Sequence, residues 1–176
     1  MILKPVTSVF DWWKIKKLYR KAFPENERKP FVMIKKKHAT KEADVWILDE
    51  DGQFIGIAIT MNVKDRVLLD YFAIDGKKRG NGYGSASLKL LQEYYQGKRF
   101  FLEIERVDVE ADNLADRKRR KSFYLANQMT ELSVNCKVFG VDMELLGYQC
   151  EVSFEEYFEV YDSIYGPWAS KHILRA

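Results

Sequence analysis

The chain has 176 residues, and 29 Lys and Arg against 26 Asp and Glu give it a net charge of +3. That length fits one domain, and 47% hydrophobic with 14% aromatic residues excludes a disordered chain. The near-neutral charge argues against a general nucleic-acid or membrane binder, and two cysteines exclude a disulfide framework or a Cys-rich zinc site. Since we find neither a leader pattern nor a run of 18 apolar residues, we expect a cytoplasmic protein.

The first third of the chain predicts a short edge strand, two helices and a β-hairpin. In chain order these elements cover residues 2–7, 12–23, 31–38, 45–48 and 54–61. The first helix has apolar residues at helical spacing and ends at Pro24. The acidic turn at 49–52 separates two apolar runs, which is typical of a hairpin.

The rest of the chain predicts alternating strands and helices, then two strands and a final helix. The elements cover residues 67–74, 83–94, 100–106, 113–127, 132–138 and 141–146, and the last helix starts at Ser153. The nearly continuous apolar run at 67–74 predicts a strand covered on both faces, and Ser153-x-x-Glu156 is a capping box. This order predicts a mixed α+β fold with one strand–helix–strand–helix unit.

Three alternate glycines, Gly80, Gly82 and Gly84, follow the buried strand and open the next helix. Free backbone N–H groups at a helix start carry partial positive charge, and glycines let an anion approach them closely. Residues 77–79 add three cations. The stretch therefore predicts a phosphate or pyrophosphate cradle, the alternative being a tight turn with solvated lysines. Its spacing matches neither a Walker A motif nor a dinucleotide fingerprint.

The stretch Arg79-Gly80-Asn81-Gly82-Tyr83-Gly84 resembles the Gln/Arg-x-x-Gly-x-Gly/Ala signature of the GNAT (GCN5-related N-acetyltransferase) superfamily. The order of elements is similar over residues 1–150. The resemblance implies a single domain of mixed α/β (α+β) class, with helices on both faces of a twisted, mostly antiparallel sheet that contains one splayed parallel pair. Residues 151–176 would form a helical extension packed on that domain.

The resemblance also implies acetyl-CoA as cosubstrate, with no metal. In the family, loop amides bind the pyrophosphate and backbone groups at the strand end bind the pantetheine arm. The residues that this assigns to acetyl-CoA are Phe72, Ile74, Arg79, Gly80, Asn81, Gly82, Tyr83, Gly84 and Ser85.

A polar stripe follows one face of the helix at 113–127. Its members at i, i+4, i+7 and i+11 are Asn113, Arg117, Arg120 and Tyr124. The segment that begins Phe123-Tyr124 is similar to the family's Phe-Tyr-x-x-x-Gly-Phe, with Gln128-Met129 in place of Gly-Phe. The resemblance implies that Tyr124 protonates the departing CoA thiolate, and that Asn113 and Arg120 contact CoA. The alternative is a solvated basic run with a helix cap.

Two glutamates, Glu103 and Glu105, share one face of their predicted strand, about 6–7 Å apart. Acetyl transfer to an amine needs a base that takes the amine proton, directly or through water. By the resemblance these carboxylates border the acceptor site; the alternative is that they pair with nearby Lys or Arg. Asp70 is a third candidate.

The preferred interpretation is an N-acetyltransferase that moves an acetyl group from acetyl-CoA to a primary amine by direct attack in a ternary complex. The alternatives are a non-catalytic acyl-CoA-binding or regulatory module, and a nucleic-acid binder using residues 117–121, which the low net charge disfavours. Residues 23–31 would overlie the acceptor site, and polyamines, aminoglycosides, amino acids and peptide N-termini all stay open as acceptors. We expect no nucleic-acid or membrane partner and leave a homodimer open.

Overall fold

The computed structural model describes residues 1–176, apart from the side chain of Asn26. Over this range there are eight β-strands and six α-helices. The strands are β1 (Ile2–Pro5), β2 (Ala43–Glu50), β3 (Gln53–Val63), β4 (Arg66–Ile74), β5 (Arg99–Glu105), β6 (Thr130–Val138), β7 (Val141–Tyr148) and β8 (Ile173–Arg175). The helices are α1 (Val9–Ala22), α2 (Phe31–Ala39), α3 (Tyr83–Tyr94), α4 (Leu114–Ala126), α5 (Phe154–Tyr165) and α6 (Pro167–Ser170).

The strands form one mixed sheet in the order β1-β2-β3-β4-β5-β7-β6-β8. The pairs β1–β2, β2–β3, β5–β7, β6–β7 and β6–β8 are antiparallel. The pair β4–β5 is parallel and joins Arg66–Leu68 to Arg99–Phe101. This confirms the predicted fold class, a mostly antiparallel sheet with one parallel pair.

Every element that the sequence predicts is present, and two further elements follow α5. These are α6, of four residues, and β8, of three, which are too short to show a periodic pattern in the sequence. β8 pairs with β6, so the segment predicted as a helical extension also adds a strand to the sheet. The domain boundary at residue 150 stays a prediction.

The chain divides into two compact units, which we describe separately. The first contains residues 1–62 and 69–96, and the second contains 63–68 and 97–176. In the first unit, β3 is buried at consecutive positions, which shows that both faces of this strand are covered. In the second unit, Cys136 is fully buried, which is typical of a small core residue. None of the helices in the described chain combines the length and apolar character that a membrane-spanning helix needs.

Candidate active site

The glycine loop connects the end of β4 to the start of α3, as the sequence predicts. Gly80 and Gly82 have positive φ angles of +81° and +76°, in the left-handed region that favours glycine. A Cβ added at either position would meet no atom within 4 Å. Backbone conformation therefore requires glycine here, while the space beside both residues is open to a ligand.

The first turn of α3 begins at Gly82 with no side-chain cap. Among the hydrogen bonds of the described residues, none is donated by the backbone N–H groups of Gly82, Tyr83, Gly84 or Ser85. The first N–H groups of a helix have no partner within the helix, so a cap, water or a ligand must accept from them. Four neighbouring donors at the positive end of a helix fit a pyrophosphate.

Side chains of the loop fix its own conformation. Arg79 Nε donates to the carbonyl of Ile74 at 3.2 Å, and Lys78 Nζ donates to Gln53 Oε1 at 2.7 Å. Asn81 Nδ2 donates to the carbonyls of Lys78 and Arg79, both at 3.2 Å. The cations of this loop thus help to hold it in shape.

Three of the four members of the predicted polar stripe converge on one carboxylate, that of Glu105 in β5. Arg117 Nη2 lies 3.0 Å from Oε1, and Arg120 Nη1 lies 2.9 Å from Oε2. Asn113 Nδ2 donates to Oε1 at 3.3 Å, and its Oδ1 accepts from Arg117 Nε at 2.7 Å. The stripe is therefore present. Glu105 pairs with two arginines, which was the alternative to its role as a base at the acceptor site.

Glu103, also on β5, contacts α5. Its carboxylate accepts hydrogen bonds from the hydroxyls of Tyr157 and Tyr161, the latter at 2.8 Å. Burial raises the pKa of the Tyr157 phenol well above its ordinary value, and nearby Glu103 raises it further, so this hydroxyl keeps its proton. The sequence alone did not indicate either partner, because Tyr157 and Tyr161 recur at helical spacing among apolar residues such as Ile164. Their spacing of four residues could have indicated one shared target.

Tyr124 lies in the last turn of α4 and is 8% exposed. Within the described residues, no hydrogen-bond partner of its hydroxyl is found. Burial raises its pKa to about 12, and the positive charge of Arg120 opposes that shift weakly. This phenol therefore holds its proton at neutral pH and is available as a donor.

The end of α4 differs from the family pattern at two residues, Gln128 and Met129. Gln128 has a φ of +66°, the conformation that a glycine would adopt most easily. Met129 is buried at 2% exposure, where the family has phenylalanine. Gln128 thus has a backbone conformation that suits glycine, and Met129 fills a buried position.

The segment between α1 and α2 is held by two tyrosines of the first unit. Tyr19 Oη donates to the carbonyl of Lys29 at 2.9 Å. Tyr71 Oη accepts from the backbone N–H of Lys29 at 3.0 Å and donates to the carbonyl of Glu27 at 2.9 Å. Lys29 Nζ lies 2.5 Å from Oδ1 of Asp70, whose side chain is 2% exposed. Asp70, the third candidate base, is therefore the partner of a lysine.

A comparison with protein families decides the family of this chain. The model of the acetyltransferase (GNAT) family matches residues 12–119. The chain belongs to the GNAT family. A search of the curated proteins found no match.

Solved structures of other GNAT proteins share the fold. A Bacteroides thetaiotaomicron protein assigned to the GNAT family superposes with a TM-score of 0.79 and 21% identity, over 94% of this chain and 99% of that one. The ribosomal-protein-S18-alanine N-acetyltransferase of Escherichia coli gives 0.61 and 18%, over 88% and 96%. An aminoglycoside 6'-N-acetyltransferase complexed with coenzyme A gives 0.67 and 13%, over 84% and 96%. At these identities the comparison establishes the fold alone.

Proposed function

We propose that this GNAT protein is an N-acetyltransferase that moves the acetyl group of acetyl-CoA to a primary amine of a small molecule or peptide. The observation that carries the proposal is the first turn of α3, where four successive backbone N–H groups, Gly82 to Ser85, have no partner among the described residues. The family match and the CoA complex of the aminoglycoside acetyltransferase support the same choice of cosubstrate.

The proposed contacts to acetyl-CoA come mainly from the backbone. The pyrophosphate would accept from the amides of residues 79–85, since a helix start with open space beside its glycines suits an anion. Backbone groups of Phe72 and Ile74 at the end of β4 would bind the pantetheine arm. Asn113 and Arg120 are weaker candidates for CoA contacts, because both already bind Glu105.

The proposed reaction is a direct attack of the amine nitrogen on the thioester carbonyl carbon. The carbon–sulfur bond then breaks, and the sulfur leaves as a thiolate that takes a proton from Tyr124. Because burial keeps the Tyr124 phenol protonated up to a pH of about 12, the proton is present when the sulfur leaves. The proton lost by the amine goes to a base.

Glu103 and Glu105 are the proposed bases, and their partners favour Glu103. Glu105 faces two guanidinium groups, which can only donate hydrogen bonds. Glu103 faces two tyrosine hydroxyls, which can accept as well as donate, so they could share a proton with it.

A non-catalytic acyl-CoA-binding module is the second candidate, and one observation favours it. Both carboxylates already have partners in the protein, and a base that is fully occupied cannot take a proton easily. In that case CoA would bind at the start of α3 without acetyl transfer.

Neither role requires a metal ion, a nucleic acid or a membrane, and both suit a cytoplasmic protein. A homodimer stays open.

The test combines binding with turnover. The protein is incubated with acetyl-CoA and a panel of primary amines, and free CoA is measured with a thiol reagent, while calorimetry measures CoA binding. Amine-dependent thiol release supports the enzyme. CoA binding without release for any amine supports the binding module, and an absence of CoA binding contradicts both roles.

A further inference from the structure

A cavity of about 260 Å³ lies beside the segment that joins α1 to α2. It is lined by the last turn of α1, by that segment and by the start of α2, all within the first unit. Tyr19 and Phe31 contribute aromatic rings, and the charged residues of the lining are Arg20, Glu25, Arg28 and Lys29. The cavity is thus small, partly aromatic and rich in cations.

Arg28 is the unusual member of this lining. It is half-buried, and its Nε atom is fully buried without a hydrogen-bond partner among the described residues. A buried charged donor that has no acceptor costs more than a neutral one. The neighbouring Lys29 does not share this state, because it is paired with the buried carboxylate of Asp70.

The charges of the lining differ in what they can still bind. Within the part of the chain that the structure describes, neither Arg20 nor Arg28 forms an ion pair. Glu25 is exposed at the same cavity and can face the positive end of a ligand. The lining therefore suits a ligand that carries an anionic group and a cationic group.

We propose that this cavity binds an oxyanion of the acceptor, with Arg28 as the main contact. The acceptor would then be a small amine that also carries a carboxylate or a phosphate, an inference that rests on the proposed function. A guanidinium binds a carboxylate or phosphate through two parallel N–H groups, and Arg28 is the half-buried guanidinium of this lining that has no ion-pair partner among the described residues. Polycations such as polyamines would instead meet Arg20 and Arg28 with like charge.

The size of the cavity points in the same direction. Pockets for drug-sized ligands usually enclose about 300–1,000 Å³, so a cavity of about 260 Å³ suits a ligand of amino-acid size. Its rings of Tyr19 and Phe31 can pack against the carbon chain of such a ligand while the charged residues bind its ends.

The test uses matched amines that differ only in the remote group. Each set shares a spacer of one to four carbons and ends in a carboxylate, its neutral amide or a phosphonate, as in β-alanine, β-alaninamide and 2-aminoethylphosphonate. Each compound is titrated calorimetrically into the wild-type protein with CoA present. We expect at least one anionic compound to bind at least tenfold more tightly than its amide. Whether that compound is the carboxylate or the phosphonate then shows which anionic group the natural acceptor carries.

Two variants assign the preference to Arg28. Arg28→Gln should abolish the tenfold preference for the anion. Arg28→Lys should keep only part of it, because lysine lacks the planar guanidinium with two parallel N–H groups. Arg119→Gln, at an exposed arginine of α4 that pairs with Asp116, should leave it unchanged. Equal binding of acids and amides, a preference that survives Arg28→Gln, or no binding across all spacers would overturn the proposal.

The same compounds separate this proposal from the proposed reaction. If the anionic compounds bind preferentially but release no thiol from acetyl-CoA, the oxyanion site stands and the reaction is wrong. If the amides are acetylated as fast as the acids, the reaction stands and the oxyanion site is wrong.

Discussion

The starts of two helices, α3 and α5, differ in what they do with their backbone N–H groups. Ser153 precedes α5 in an extended conformation, accepts from the N–H of Glu156 and donates its own N–H to that side chain. Gly82 precedes α3 in the left-handed conformation, and no side chain caps this helix start among the described residues. Ser153 therefore caps the first turn of α5 and serves stability, whereas the first N–H groups of α3 have no acceptor among the described residues and can bind a ligand.

Side chains of the second unit show the same contrast. Glu105 has three polar partners on α4, while the Tyr124 hydroxyl has none among the described residues. Leaving a polar group without a partner costs stability, so such groups indicate function more strongly than satisfied ones do.

The largest effect is expected at Tyr124. Tyr124→Phe should lower kcat by about 10²–10⁴-fold, the usual contribution of one general acid, with CoA affinity unchanged. Because the hydroxyl has no partner among the described residues, thermal stability should also stay the same. Steady-state kinetics on a good acceptor provide the measurement, with Tyr94→Phe at an exposed tyrosine as control. A rate within twofold of the wild type would show that the phenol is structural.

The next effect concerns Glu103 and Glu105. Glu103→Gln should lower kcat/KM by about 10²-fold, the lower end for a general base, and the rate should partly recover at high pH as free amine accumulates. Glu105→Gln should instead lower the unfolding temperature, because Arg117 and Arg120 lose a charged partner. If neither variant changes the pH profile or the rate, the amine proton leaves through water.

Gly82→Asp tests the open helix start. The added carboxylate would lie where the pyrophosphate is expected, so acetyl-CoA affinity should fall at least tenfold, about 1.4 kcal/mol. Gly140→Asp is the matched control, since Gly140 also has a positive φ and open space beside it. Calorimetry on both folded variants checks the effect, and unchanged affinity in Gly82→Asp would remove the cradle assignment.

The smallest effect is expected at the satisfied helix start. Ser153→Ala removes the side chain that caps α5 and should lower the free energy of unfolding by about 1 kcal/mol. It should leave acetyl-CoA affinity and kcat unchanged. Urea unfolding gives the first quantity and steady-state kinetics the others. A loss of CoA binding in a folded Ser153→Ala variant would contradict the separate roles of the two helix starts.

The sequence predicts local features well and contacts between elements poorly. The glycine loop and the capping box at Ser153 are visible because each depends on residues within a few positions. The stripe that ends at Tyr124 is also visible, but its binding of Glu105 depends on how α4 packs beside β5. The buried Nε of Arg28, which has no partner among the described residues, is invisible in the sequence because the burial of one side-chain atom depends on tertiary packing.

The most direct test of the account is residue-resolved. In ¹H–¹⁵N NMR spectra of the wild-type protein, saturating CoA should shift the amide signals of Gly82, Tyr83, Gly84 and Ser85 most strongly. The amides of Glu156 and Tyr157, which have partners at the start of α5, should show small shifts. Equal shifts at the two helix starts, or CoA binding that leaves residues 82–85 unchanged, would contradict the claim that the open start of α3 holds the cosubstrate.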